Sequence, residues 1–351
     1  MHPCCRNPLL RRALPLLTVL LMLPTLAASA LAAPAALRWS GKGFSRNGNA
    51  IEHLTIRGSD GKGRETFLRF SFANAAYRDG GLEITAKFET AAGKFYAKKT
   101  YPRGKYTVDG GRLGLRAGGN VIATDGNTMK ISLALGDIRG EGTLQLRGPP
   151  AHAASGGKGG LIERDLLTAW GALRVGIGHR DGRGADVQAT VFAVHEASTV
   201  AAHRIYDRSV QLHRVAPGRV ALVDYIVMPA ERGAKPLGFV ALRGGKTQFV
   251  GLVGQERRSA EHRDGRTGYQ VPWGVEVHAS QGGHAATVKL AATRQAGRKD
   301  DLAKLPYLAR KAVGLLFKPY TFTLDGSYEG VMAGQPDAVQ GRSRWRYAQT
   351  R

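Results

Sequence analysis

Cysteine is almost missing from this chain: there are 2 in 351 residues, Cys4 and Cys5, both at the extreme N-terminus. If that stretch is a leader, the mature protein has none, which excludes disulfides, thiolate catalysis and Cys-ligated zinc. Long apolar runs are equally scarce. The one candidate, Leu14 to Leu26, is broken by Pro15 and Pro24 and falls short of the roughly 20 residues that span a bilayer. With Arg6, Arg11 and Arg12 ahead of it and Ala28-Ser29-Ala30 and Ala30-Leu31-Ala32 behind, it reads as a secretory signal peptide over 1–32, with export to the periplasm. Acidic residues are few, 27 against 51 Lys and Arg, for a net charge of +24. The leader holds three of the arginines and no acid, so +21 remains after cleavage. Such a surface attracts anions, and for an exported protein an anionic membrane surface is the expected partner. Nucleic acid is not expected, because the basic residues are scattered singly, without aromatic stacking platforms.

Catalytic and cofactor signatures are missing too. There is no Gly-x-Ser-x-Gly elbow, Walker-type loop or dinucleotide fingerprint, and Gly176-x-Gly178 lacks both the third glycine and a helix to receive phosphate. No cofactor is expected. His195, His203 and His213, with Glu196 and Asp207 near them, invite a metal reading, but their spacings of eight and ten do not place ligands together on one helical turn or ribbon. No metal site is expected either.

What the sequence does contain is period-two patterning. In 66–72, Leu68, Phe70 and Phe72 share one face while Arg69 and Ser71 take the other. Similar short segments recur at 53–57, 82–89, 94–100, 106–108, 113–116, 129–135 and 142–146, parted by turns such as Arg78-Asp79-Gly80-Gly81. A Gly/Pro/Ala/Ser stretch, 149–160, reads as a linker. Strands then resume at 169–175, 185–195, 209–215, 219–228, 237–242, 247–253, 271–279 and 285–292. Each half has roughly eight strands, the number that closes a small barrel able to hold one ligand. The expected fold is all-β, two tandem lipocalin-like antiparallel β-barrels over 33–148 and 161–335, with a basic tail over 336–351.

One amphipathic helix is expected before the last strand. Leu302, Leu305, Leu308, Ala309, Ala312 and Leu316 fall on one face, Asp300 and Asp301 precede them, and Lys318-Pro319 ends the run. Such a helix is expected to brace or cover the second barrel.

Three stretches carry a family resemblance. Thr267-Gly268-Tyr269-Gln270-Val271-Pro272 is similar to a Thr-Gly-Tyr-x-Val-Pro motif of the oxidative-stress survival-factor family of tandem lipocalin-like proteins. Asp301-Leu302, Leu305-Pro306-Tyr307 and Lys318-Pro319-Tyr320 resemble its closing segment, and His195 through Ala201-Ala202-His203-Arg204 its mid-barrel segment. The resemblance spans about 190–325 and implies an apolar cargo and a part in stress protection. In the neighbouring carotenoid-hydratase group a Tyr-His-Asp-His-x-Trp-Gly motif supplies acids and bases; here the comparable residues are Leu167-Thr168-Ala169-Trp170-Gly171, which disfavours that hydratase chemistry.

These readings combine into an exported lipocalin-like protein that binds or carries a hydrophobic lipid or isoprenoid. Trp170, Tyr206, Tyr225, Tyr269 and Trp273 are expected around the mouth of the second barrel, where aromatics give an apolar ligand contact area with a polar handle. His195 and His203 join them as ligand contacts. The alternative is a hydratase- or isomerase-like enzyme of the same fold, with His195 or His203 as acid or base.

Overall fold

The computed structural model describes residues 39, 50–73, 80–109, 113–156, 160–200, 205–303, 307, 311, 314 and 318–350. The proposed leader and His203 lie outside them.

Twelve antiparallel strands form the first sheet: β1 (Ile51–Ser59), β2 (Glu65–Ala73), β3 (Gly81–Thr90), β4 (Gly93–Tyr101), β5 (Thr107–Asp109), β6 (Gly114–Ala117), β7 (Asn120–Asp125), β8 (Thr128–Leu135), β9 (Ile138–Gln145), β10 (Ala151–Ser155), β11 (Ile162–His179) and β12 (Gly184–Ser198). The order is β4-β3-β2-β1-β12-β11-β9-β8-β7-β6-β5, with β10 on the edge of β11 beyond β9. The sheet curls without closing. Its concave face holds Leu54, Ile56, Phe70, Phe72, Ile84, Phe88, Ile131 and Leu144, all essentially without solvent exposure.

Eight further strands close into a barrel, each paired with the next and the last with the first: β13 (Arg208–Ala216), β14 (Arg219–Val227), β15 (Pro236–Gly244), β16 (Thr247–Arg263), β17 (Gln270–Gln281), β18 (His284–Asp300), β19 (Tyr320–Met332) and β20 (Val339–Gln349). Alternate residues, among them Val210, Leu212, Val223, Tyr225, Val288, Phe322, Leu324, Trp345 and Tyr347, fill the lumen.

A third core joins the two bodies. Ile162, Leu166, Ala169, Trp170, Phe192 and Val194 of β11 and β12 meet Leu222, Ile226, Leu237, Phe239 and Ala241 of β14 and β15. The last two strands are therefore covered on both faces and lose the alternation that a half-exposed strand shows; apart from Arg219 itself, every residue of β14 is buried.

The all-β expectation holds, with two corrections. The first body is an open curl rather than a second barrel. The expected division at 149–160 falls inside it, because Ala151–Ser155 is strand β10 and the sheet runs on to Ser198; the small residues there pack against the barrel instead of spacing two domains. Three described positions inside the predicted helix, Tyr307, Lys311 and Gly314, are α-helical, and a 3-10 turn is described at Ala230–Arg232. The predicted helix falls almost wholly outside the described residues, Leu305, Leu308, Ala309, Ala312 and Leu316 included. Of its predicted apolar face Leu302 is described, and it is buried in a turn after β18.

Candidate functional site

Cross-strand register on β11 and β12 sets two ionic couples back to back. Arg164 lies opposite Glu196 and Asp165 opposite His195. Because successive side chains on a strand point to opposite faces, the first couple faces the barrel and the second faces the concave side of the sheet.

On the concave side, His195 is almost fully buried, with Nε2 2.8 Å from Glu52 Oε1 and Nδ1 3.3 Å from Asp165 Oδ2. Glu52 comes from β1 and is fully buried. Asp165 continues outward to His152, whose Nδ1 is 2.6 Å from Asp165 Oδ1 and whose side chain is 59% exposed. Trp39 sets its ring edge against the imidazole at 5.5 Å and donates from Nε1 to the Gly114 carbonyl. Burial by itself would lower the His195 pKa, but the hydrogen bonds to Asp165 and Glu52 and their negative charges override it and raise the value to about 9. The imidazole is thus cationic at neutral pH. Burial pulls Asp165 the other way, and its bonds to His195 and His152 prevail and hold it below the usual carboxylate range. A chain of proton-carrying groups runs from solvent at His152 to the buried Glu52.

On the barrel side, the Arg164 guanidinium spends its donors on four acceptors. Nε bonds Glu196 Oε1 at 2.6 Å, Nη2 bonds Asp224 Oδ1 at 2.7 Å, and Nη1 donates to the carbonyls of Asp224 and Leu237 at 3.1 and 3.2 Å. Asp224 also receives His213 Nε2 at 2.8 Å. Desolvation acts to raise Asp224, yet the charge of Arg164 and the bond from His213 hold it far below the ordinary range. Burial lowers His213 despite that bond, and its Nδ1 faces Arg57 Nη1 at 3.5 Å. A buried ionic group with every partner in place tolerates its desolvation; removing one partner strands the others.

Arg164 and Glu196 also line a cleft of about 210 Å³ between sheet and barrel. Ile51, Ile162, Ile205 and Ile226 give it apolar surface, and Tyr206, Gln211, His53, Arg69 and Glu163 add polar groups. Burial, together with the negative charges of Asp301 and Glu196, pushes the Tyr206 phenol up to about 12, so it stays a neutral hydroxyl. Apolar walls with a few convergent polar groups suit a small molecule carrying one polar end.

The sequence-predicted residues are dispersed. Tyr206 lines the cleft and His195 is in the concave cluster. Trp170 is a correction: it lies in the core between the bodies, under the Arg243 guanidinium at 5.6 Å, because its place on β11 turns it toward the barrel's outer wall. Tyr225 is inside the barrel and Tyr269 at one end of it, its hydroxyl donating to the Lys318 carbonyl at 2.7 Å. Trp273 packs 5.9 Å from His262. Sequence reasoning missed Glu52, Arg164, Asp165 and Asp224. The signal was the charged triplet Glu163-Arg164-Asp165 inside an apolar strand, which must send charge to both faces. Among the described residues no group of three His, Cys, Asp or Glu side chains is placed to hold a metal ion, and no helix is long and apolar enough to cross a membrane.

No protein-family model and no curated protein sequence matches the chain. Solved structures do. CghA with Sch210972 is similar at 14% identity and a TM-score of 0.51, covering 90% of this chain and 94% of that one. An AttH protein from Nitrosomonas europaea, at 12% identity and 0.46, covers 90% and 97%. Kievitone hydratase from Nectria haematococca, at 11% and 0.42, covers 90% and 94%. The likeness to CghA shows the fold alone, a lipocalin-like one; the survival-factor family suggested by the sequence motifs is not shown by it.

Proposed function

We propose that the chain binds a small, largely apolar molecule in the cleft between the curled sheet and the barrel, with the molecule's polar end toward Tyr206, Glu196 and Arg164. One observation carries this: four isoleucines line the same cleft as Arg164, which four acceptors hold in place, and Tyr206, a neutral donor. Preset polar groups lower the ordering cost of binding. That a fold neighbour was crystallised with a small molecule supports the reading. Titration with N-phenyl-1-naphthylamine, a probe that fluoresces in apolar sites, should show one saturable component that is lost in Ile226→Trp, where the indole fills the cleft. An undiminished signal in that variant opposes the assignment.

The His195 cluster supports a second reading, proton transfer of the hydratase or isomerase kind. An imidazolium held between two carboxylates donates a proton at neutral pH and recovers it along Asp165 and His152. Turnover of host lipid extracts should then fall as pH rises through about 9, where His195 loses its proton, and should vanish in His195→Gln. Conversion by His195→Gln at the parent rate removes this reading.

A further inference from the structure

The cleft between sheet and barrel leads to a concentration of positive charge. Strand β1 runs beside β13 in step, for Arg57 Nη1 faces His213 Nδ1 at 3.5 Å and Ser59 Oγ donates to the Val215 carbonyl at 2.8 Å. Ile51 and His53 of β1, with Tyr206, Ser209 and Gln211 at and before the start of β13, line the cleft. It therefore runs along both strands toward Arg57, which shares the face of Ile51 and His53 because alternate residues of a strand point the same way. Arg346 of β20 stands directly opposite Gln211. Opposed residues of antiparallel strands lie on one face with Cβ atoms about 5 Å apart, so Arg346 is the next side chain along the barrel's outer wall, at the rim of the cleft. Arg69 lines the cleft from the sheet side.

The acids near this rim are already engaged. Glu65 is shared by Arg57 at 3.5 Å and Lys87 at 3.2 Å. Asp325 is held by Arg294 and Arg344, each at 2.8 Å, and Asp301 by Lys299 and Thr321. Arg346 has neither an ion pair nor a hydrogen bond among the described residues. Partial burial and the positive charges of Arg57 and Arg344 press its pKa below the ordinary value, against the pull of Glu65 and Asp301. The carboxylates that line the cleft, Glu163 and Glu196, belong to β11 and β12, away from Arg69 on β2.

We propose that the molecule held in the cleft is an anionic amphiphile whose carboxylate lies against Arg346, with its hydrocarbon among the isoleucines. This rests on the cleft being the binding site and adds a charged group at the end of the ligand away from Tyr206. A carboxylate takes two parallel hydrogen bonds from a guanidinium and brings the negative charge that Arg346 lacks. A neutral alcohol brings no charge, and an ammonium is repelled. A phosphate monoester carries nearly two negative charges into a cleft that already holds Glu163 and Glu196, whereas a carboxylate carries one for the one guanidinium without a partner.

Isothermal titration calorimetry of the full chain with decanoate and 1-decanol, both below their aggregation limits, tests this. The parent should bind decanoate about tenfold more tightly than decanol. Arg346→Gln should remove that preference and leave decanol binding unchanged. Arg180→Gln, at an exposed arginine beyond the end of β11, should alter neither, and Ile226→Trp should abolish both. Equal affinity of the parent for the two ligands, a preference that survives Arg346→Gln, or an equal loss in Arg180→Gln overturns the proposal and leaves the cleft reading standing. Decanoate binding that survives Ile226→Trp also overturns it, by placing the anion outside the cleft. A parent that binds neither ligand overturns the cleft reading itself, and the proposal with it.

Discussion

His195 shows how far one residue can be read. Its place in a strand-like segment was legible, and a histidine buried there needs a hydrogen-bond partner. The partner was not, since Glu52 lies 143 positions away and reaches it only once β1 pairs with β12. The couple makes a definite prediction about stability. A histidine whose folded pKa is raised, here from 6.5 to about 9, stabilises the fold fully below 6.5, and the contribution is lost as pH rises through 9. Replacing it with glutamine should therefore cost on the order of 2–3 kcal/mol at pH 6. Urea unfolding of parent and His195→Gln at pH 6 and pH 10 should show the gap shrinking at the higher pH. A gap that does not change with pH means that His195 is held by shape and not by charge.

Among the elements, the strands with one wet face were the legible ones. Leu68, Phe70 and Phe72 alternate in the sequence and are buried on β2 in that register. β14 and β15 were read as strands too, but nothing in a continuous apolar run such as Val220–Val223 says that both faces are covered; only the meeting with β11 and β12 does that. The stretch 149–160 misled for a chemical reason, because its flanking glycines and prolines suit a linker, while the small residues of Ala151–Ser155 become a strand only by packing between β11 and the barrel. Close backbone approach also fixes Gly238. It pairs with Tyr225 at φ 155°, and a methyl group there would come within 2.2 Å of the Asp224 carbonyl. Gly238→Ala should cost about 3 kcal/mol or more, since strain and overlap act together. Gly61→Ala, with nothing within 4 Å, should cost under about 0.5 kcal/mol. Equal unfolding midpoints for the two variants contradict this packing.

For the molecule as a whole, the all-β class could be read from strand rhythm, but not which strands close the barrel, since 169–175 and 185–195 belong to the sheet and the expected basic tail 336–351 holds β20; nor could the cleft. It lies between the outer face of one sheet and the outer wall of a barrel, so its walls come from residues as distant as Ile51 and Ile226, and no motif records that meeting. Of the predicted ligand contacts that are described, Tyr206 alone lines it. Tyr225 and Tyr269 belong to the barrel's own interior and end, and Trp170 to the core that holds the two bodies together. The binding reading is tested most directly by native mass spectrometry of the protein purified without detergent from its own host, beside Ile226→Trp and Tyr225→Phe handled identically. The parent and Tyr225→Phe should carry an extractable apolar species that Ile226→Trp lacks. A parent that is repeatedly empty, or an Ile226→Trp protein that keeps the same species, contradicts the account.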